Sequence, residues 1–286
     1  MAIDDILHGI TTLVSSRVQD KLFSGTGFFY DKLSEERFGP NKDWSSIDMT
    51  WVVTNRHILI PPVDNQETIP DKFTFHLRRI INDIVEWEPV ELDRSELIKR
   101  ARVSQNSDVD IAIVQINDII EERIKVGVEE KKKYMVTFAV RKDDLPGISP
   151  LGIEVTHDAV IVGYPRGFYD NFNKYPIVKS GIIASGWGLK FDNKPYFLID
   201  AKLFPGSSGS LVISKPTNIA LINGQLSYSR EKQYAFLGIF SGAPFYQEDP
   251  IDLDDITIIR KLGFDIGVVW YGHLIEEIIK NGATLG

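Results

Sequence analysis

Twelve short apolar runs, broken by glycine, proline and asparagine turns, constrain this chain more than any other feature. Residues 10–18, 27–30, 51–54, 73–77, 88–92 and 111–116 form a first group of six, and 154–163, 175–185, 195–201, 211–213, 234–240 and 266–269 form a second. Runs this short and this rich in β-branched and aromatic side chains read as strands. Six strands are what a Greek-key barrel needs. The predicted fold is therefore all-β, with two six-stranded antiparallel Greek-key barrels. Its parts are an N-terminal barrel over 1–120, an elaborated connection over 121–150 and a C-terminal barrel over 151–286. The polar stretch 31–46 reads as an insertion at a hairpin tip. One helix is expected at the end, where Leu274, Ile275, Ile278 and Ile279 make a one-sided stripe stopped by Asn281-Gly282.

Composition agrees. A chain of 286 residues with 43% apolar residues can bury one large core or two modest ones, and 22 glycines with 14 prolines supply the turns of a many-stranded protein. The formal net charge of −8 and the lack of a Lys/Arg stripe argue against nucleic acid or an anionic membrane as partner. The one dense basic cluster, Lys131-Lys132-Lys133, follows Glu129-Glu130 and reads as a solvated loop or helix face. With no cysteine, a disulfide framework, a thiol nucleophile and cysteine-ligated metal are excluded, and no cofactor or metal site is expected. Met1-Ala2-Ile3-Asp4-Asp5-Ile6 is acidic where a secretory leader is basic, so a cytoplasmic location is expected.

Chemistry is suggested by Pro205-Gly206-Ser207-Ser208-Gly209-Ser210. A serine in a glycine-rich turn can expose its Oγ while neighbouring backbone N–H groups converge on a carbonyl oxygen under attack. Such a turn alone is also an ordinary surface loop. Two upstream segments weigh against that reading. Trp51-Val52-Val53-Thr54-Asn55-Arg56-His57 is an apolar strand running into a histidine, and Asp108-Val109-Asp110-Ile111-Ala112-Ile113-Val114 is an acidic turn running into a strand. The order His, Asp, Ser differs from that of subtilisin-type and α/β-hydrolase enzymes, and Ser210 breaks the G-x-S-x-G elbow of the latter.

With these residues in view, the chain resembles the trypsin-like serine peptidases, and most closely the HtrA-type (trypsin-2) peptidase domain without a PDZ module. Further stretches are similar to that family in the right order: Ser24-Gly25-Thr26-Gly27, Val162-Gly163-Tyr164-Pro165-Arg166-Gly167, Val178-Lys179-Ser180-Gly181-Ile182-Ile183, the run from Asp200 to Ser210, and Gly267-Val268-Val269-Trp270. The resemblance implies the chymotrypsin fold and a catalytic triad of His57, Asp110 and Ser208, with His57 as general base and Asp110 orienting its ring. Asp108 competes with Asp110 as a turn residue. The resemblance also implies an oxyanion hole in the turn Gly206, Ser207, Ser208. Ser207 stands where digestive relatives carry an aspartate that pairs with a freed α-amino group. The turn is then expected to be ordered by hydrogen bonds from Ser207, by an activating protein partner or by substrate.

A protein or peptide substrate is implied. Lys202, six before Ser208, falls where digestive relatives place the floor of the primary pocket, and Phe240-Ser241-Gly242 resembles the strand edge that pairs with extended substrate. A pocket ammonium favours an acidic P1 residue, whereas Phe240 stands where glutamyl-specific relatives carry histidine, so a small or medium apolar P1 is expected. Two other readings start from the same residues: a catalytically silent peptide-binding module and a hydrolase of small esters.

Overall fold

The first six runs are strands of one sheet. The computed structural model describes residues 3–40, 45–81, 84–129, 133–134, 138–149, 151–222, 225–247, 251–253, 256–258 and 261–286, so Lys131, Lys132 and Pro150 lie outside the described residues. Strands make up 49% of the chain and helices 17%. The sheet has ten strands, and its main path is Lys133–Tyr134, Lys72–Ile81, Thr11–Val18, Lys21–Leu33, Ile47–Thr54, Ala112–Gln115, Ala101–Val103 and Ala283–Thr284. Ile84–Asp93 pairs with Lys72–Ile81 off this path, and Val140–Arg141 with Lys21–Leu33. Among the described residues the path is open.

The second six runs do close. Asp158–Gly163, Ile177–Ile183, Tyr196–Asp200, Ile266–Tyr271, Phe236–Gly242 and Leu211–Ser214 form a closed barrel in that order. One closed barrel is present as expected, and closure of the first group into a second barrel is not seen among the described residues. The first sheet also recruits short strands from the connection and from the C-terminus, which carry too few residues to register as apolar runs.

Alternation along the first-half strands explains how the two halves hold together. Phe28, Tyr30, Trp51, Val53, Ile111 and Ile113 face a core shared with Ala159, Ile161, Phe197, Ile199, Val212, Phe236 and Val269 of the barrel. Their neighbours Phe29, Val52, Ala112 and Val114 face a second core with Val14, Phe73, Phe75, Leu92 and Leu97. A strand apolar on both faces is what a sheet covered on both sides requires. This is why Trp51-Val52-Val53-Thr54 is continuous rather than alternating, and all four are buried.

The helices are less legible. Leu274–Asn281 buries the predicted stripe of Leu274, Ile275, Ile278 and Ile279. Among the described residues three more helices longer than a single turn were not foreseen: Ile3–Ile10, Arg94–Arg100 and Asn117–Glu129. The second begins with a capping box, in which Asp93 accepts from the Glu96 N–H and the Glu96 side chain accepts from the Asp93 N–H. That D-x-x-E spacing is a sequence signal for a helix start. Ser34 N–H donates to Ser46 O at 2.8 Å just past the end of Lys21–Leu33, and residues 41–44 of the 31–46 stretch lie outside the described residues.

Candidate active site

The strand Ile47–Thr54 delivers His57 through a tight turn. Asn55 O accepts from the N–H groups of Ile58 and Leu59, starting the single helical turn Arg56–Leu59. Ile58 and Leu59 are buried and anchor that turn, which leaves the His57 ring 40% exposed on its other side. Arg56 is held away from the ring by Glu67, at 2.6 and 2.8 Å.

Asp110 meets His57 twice. Its Oδ1 accepts from the His57 backbone N–H at 2.9 Å, and its Oδ2 lies 2.7 Å from His57 Nδ1. A carboxylate can only accept, so this contact places the proton on Nδ1 and leaves Nε2 with a lone pair facing outward. Asp110 Oδ2 also accepts from Ser241 Oγ at 2.5 Å. Asp108 lies elsewhere, exposed and 3.6 Å from Lys194 Nζ.

The Pro205–Ser210 turn is fixed by its own main chain and by two neighbouring segments. Ser207 N–H donates to Phe204 O, Ser210 N–H to Ser207 O, Gly209 N–H to Phe240 O and Arg166 N–H to Pro205 O. Thr26 N–H donates to Ser208 O at 2.8 Å. Gly206 and Gly209 have φ of +85° and +82°, in the left-handed region that glycine enters without strain. A Cβ on Gly206 would overlap the Arg166 backbone, and one on Gly209 would overlap Thr26 O. Of the three serines, Ser207 and Ser210 are buried, at 2% and 1% exposure, and Ser208 is half-buried.

The backbone N–H groups of Gly206 and Ser208 donate to no acceptor among the described residues. Ser207 N–H, in contrast, donates to Phe204 O. The Ser208 hydroxyl donates to Ser241 O at 2.8 Å rather than to His57. Ser241 therefore touches both ends of the proposed triad.

Ser241 reaches them because it is the extra residue in a β-bulge. Phe240 pairs with Val269 and Gly242 with Val268, so Ser241 has no opposite partner and its side chain is re-aimed. Sequence reading placed it on a substrate edge. Its separation of 131 residues from Asp110 gives no sequence signal of the contact.

Two of the proposed substrate-binding residues, Phe240 and Lys202, sit in contrasting surroundings. Phe240 is 3% exposed and packs in the shared core, its N–H donating to Ser210 O and its C=O accepting from Gly209 N–H. Lys202 is exposed rather than at a buried pocket floor, as expected for an ammonium that can stay hydrated. Its main-chain O accepts from Lys179 Nζ, whose ammonium sits 4.8 Å from the Phe204 ring centroid. Gly242 keeps open space on its Cβ side.

One residue behind the site was also missed. Thr26, fully buried, holds Ser208 O with its N–H, accepts from Thr54 Oγ1 at its C=O (2.7 Å), and accepts from Tyr164 N–H at its Oγ1 (2.9 Å). Ser210 Oγ approaches the same Oγ1 at 3.4 Å. Tyr164 is buried beside it, and burial pushes its phenol pKa up, against the opposing pull of the Arg78 charge. Thr26 thus ties the Ser208 turn to the end of the His57-bearing strand. Among the described residues no three His, Cys, Asp or Glu side chains converge as metal ligands, and no helix is long and apolar enough to cross a membrane.

A family model described as the trypsin-like peptidase domain matches residues 25–218. Among solved structures, the chain is similar to the active form of the Rv3671c protease from M. tuberculosis, at 16% identity and a TM-score of 0.45, over 98% of this chain and 83% of that one. It is also similar to the protease Anisep from Arthrobacter nicotinovorans, at 11% identity and 0.46, over 94% and 93%. The thermostable serine protease AL20 from an extremophilic microorganism matches at 11% and 0.47, over 96% and 95%. Comparison with curated proteins by sequence gives no significant match.

Proposed function

The chain belongs to the trypsin-like peptidase domain family and is a hydrolase of the serine endopeptidase class, and we propose that it cleaves peptide bonds through an acyl-enzyme formed at Ser208. The observation that carries this reading is the continuous chain of contacts His57–Asp110–Ser241–Ser208, set beside two unengaged N–H groups at Gly206 and Ser208.

Ser208 Oγ turns from Ser241 O toward His57 and attacks the scissile carbonyl carbon while its proton passes to His57 Nε2. Asp110 stabilises the imidazolium through Nδ1–H. The N–H groups of Gly206 and Ser208 receive the oxyanion, a contribution of about 3–4 kcal/mol per donor in sites of this kind. On collapse the C–N bond breaks, and the Nε2 proton goes to the leaving amine. A water then attacks the ester, giving its proton to Nε2. Collapse releases the new carboxylic acid and returns the proton to Ser208 Oγ. Protein or peptide is the substrate on this reading, with Ser241 and Gly242 presenting main chain to it.

The test is a fluorophosphonate probe followed by mapping of the modified residue. An adduct on Ser208, absent in His57→Ala, supports the reading. No adduct, together with tight peptide binding, would turn the assignment to a silent peptide-binding module. Turnover of small esters with none of any peptide would turn it to an ester hydrolase.

A further inference from the structure

We infer that Asn55 is a positioning residue for the His57–Asp110 pair, an inference that rests on the catalytic reading above. The ladder joining Ile47–Thr54 to Ala112–Gln115 ends at the pair Thr54↔Ala112. Beyond it the two chains separate, one toward His57 and the other toward Asp110. Asn55 bridges the gap: its Nδ2 donates to Asp110 O at 2.7 Å, replacing the next rung of the ladder with a side chain. Its main-chain O starts the turn that carries His57. One residue thereby fixes the spacing at which Oδ1 meets His57 N–H and Oδ2 meets Nδ1.

Packing alone does not account for an asparagine here. Asn55 is fully buried, and its Oδ1 is a buried acceptor with no partner. An apolar side chain of similar size would fill the space without that cost. The amide orientation is set by chemistry, since Asp110 O can only accept. What the amide alone supplies is the donor to Asp110.

Asn55→Leu keeps the number and branching of the side-chain heavy atoms and removes the donor, and Asn55→Ala removes both. Three readouts separate positioning from general stability: the far-downfield NMR proton of a short Nδ1–H to carboxylate bond, the rate of fluorophosphonate labelling at Ser208, and the split between kcat and KM. Both variants are expected to lose or broaden the downfield proton and to label roughly 10²-fold more slowly, with kcat falling and KM unchanged. A folded Asn55→Leu that keeps the proton and the wild-type labelling rate overturns the inference. In the wild type the Asn55 side-chain amide protons are expected to exchange slowly, and fast exchange overturns the inference even where both variants fail to fold. Failure of wild-type Ser208 to label refutes the catalytic reading instead, leaving the two NMR readouts to decide Asn55.

Discussion

The hydroxyl of Ser208 donates to the main-chain oxygen of Ser241 at 2.8 Å. Ser241 sits in the bulge just before the last pair of its ladder, Gly242↔Val268. On the proposed reading, in which Ser241 presents main chain to an extended substrate, substrate and the resting nucleophile compete for one acceptor, and a bound peptide releases Ser208 toward His57.

The first prediction follows from that competition. A peptidyl phosphonate able to donate an N–H to Ser241 O is expected to label Ser208 at least 10²-fold faster than a small alkyl fluorophosphonate, measured as second-order inactivation constants. Methylating that one peptide nitrogen should remove most of the advantage. Equal rates for the methylated and parent probes would mean that Ser241 O does not gate the nucleophile.

Substitutions at the site should separate by role. Ser208→Ala and His57→Ala are expected to lower kcat roughly 10⁴-fold or more with the fold intact, and Asp110→Asn nearly as much through the wrong imidazole tautomer. Ser241→Ala removes one donor from Asp110 and should cost only roughly tenfold. Steady-state kinetics on one peptide, with circular dichroism as the control, checks the order; wild-type turnover by Ser208→Ala would end the acyl-enzyme scheme.

Thr26→Val keeps shape and the main-chain bond to Ser208 O but deletes the acceptor for Tyr164 N–H. A buried donor left unpaired costs about 1–3 kcal/mol, so urea unfolding should show a loss of that size. Because the lost hydroxyl also meets Ser210 Oγ of the nucleophile turn at 3.4 Å, labelling at Ser208 should slow as well. Stability lost with no change in labelling would confine Thr26 to a structural role.

These contacts mark the limit of what the sequence carries. The strands were legible because Trp51-Val52-Val53 and Leu211-Val212-Ile213 announce themselves by local pattern, and so does the helical stripe of Leu274 to Ile279. Thr26, Asn55 and Ser241 act through partners far along the chain, and nothing in their immediate neighbours distinguishes a hub from an ordinary strand end. The Asp93-x-x-Glu96 box was readable and was overlooked. The short strands added to the first sheet were not readable, since they are two or three residues long.

Two titratable groups, half-buried His76 and buried Asp31, give the stability profile opposite slopes. Burial lowers the pKa of His76, partly offset by its Nδ1–H bond to Leu13 O. With the folded value below the unfolded one of about 6.5, its contribution is present above that pH and is lost as pH falls through the folded value. Burial raises the pKa of Asp31, against the Thr50 hydrogen bond and the Arg141 charge. Its contribution is present below about pH 4 and is lost as pH rises through the raised value. Asp31→Asn, which can still accept from Thr50 Oγ1, is thus expected to raise the Tm at pH 7 and to gain nothing at pH 3. A lower Tm at pH 7 would show that the Arg141 attraction outweighs desolvation.

The last prediction concerns activation. In relatives switched on by proteolysis, a new α-amino group needs a charged partner beside the nucleophile, and here that position is Ser207, an uncharged residue 2% exposed. An ammonium brought there would face a hydroxyl alone, at a cost of several kcal/mol. The turn is instead held by Ser207 N–H on Phe204 O, Ser210 N–H on Ser207 O and Arg166 N–H on Pro205 O. Leu7 and Ile10, ahead of the first strand, are buried in the shared core, so removing that segment would cost stability rather than switch the site on. Protein carrying a blocked or extended N-terminus is accordingly expected to label at Ser208 as fast as protein with a free one. Labelling that appears only after proteolysis exposes a new N-terminus would show that an ion pair orders this turn by a route other than Ser207.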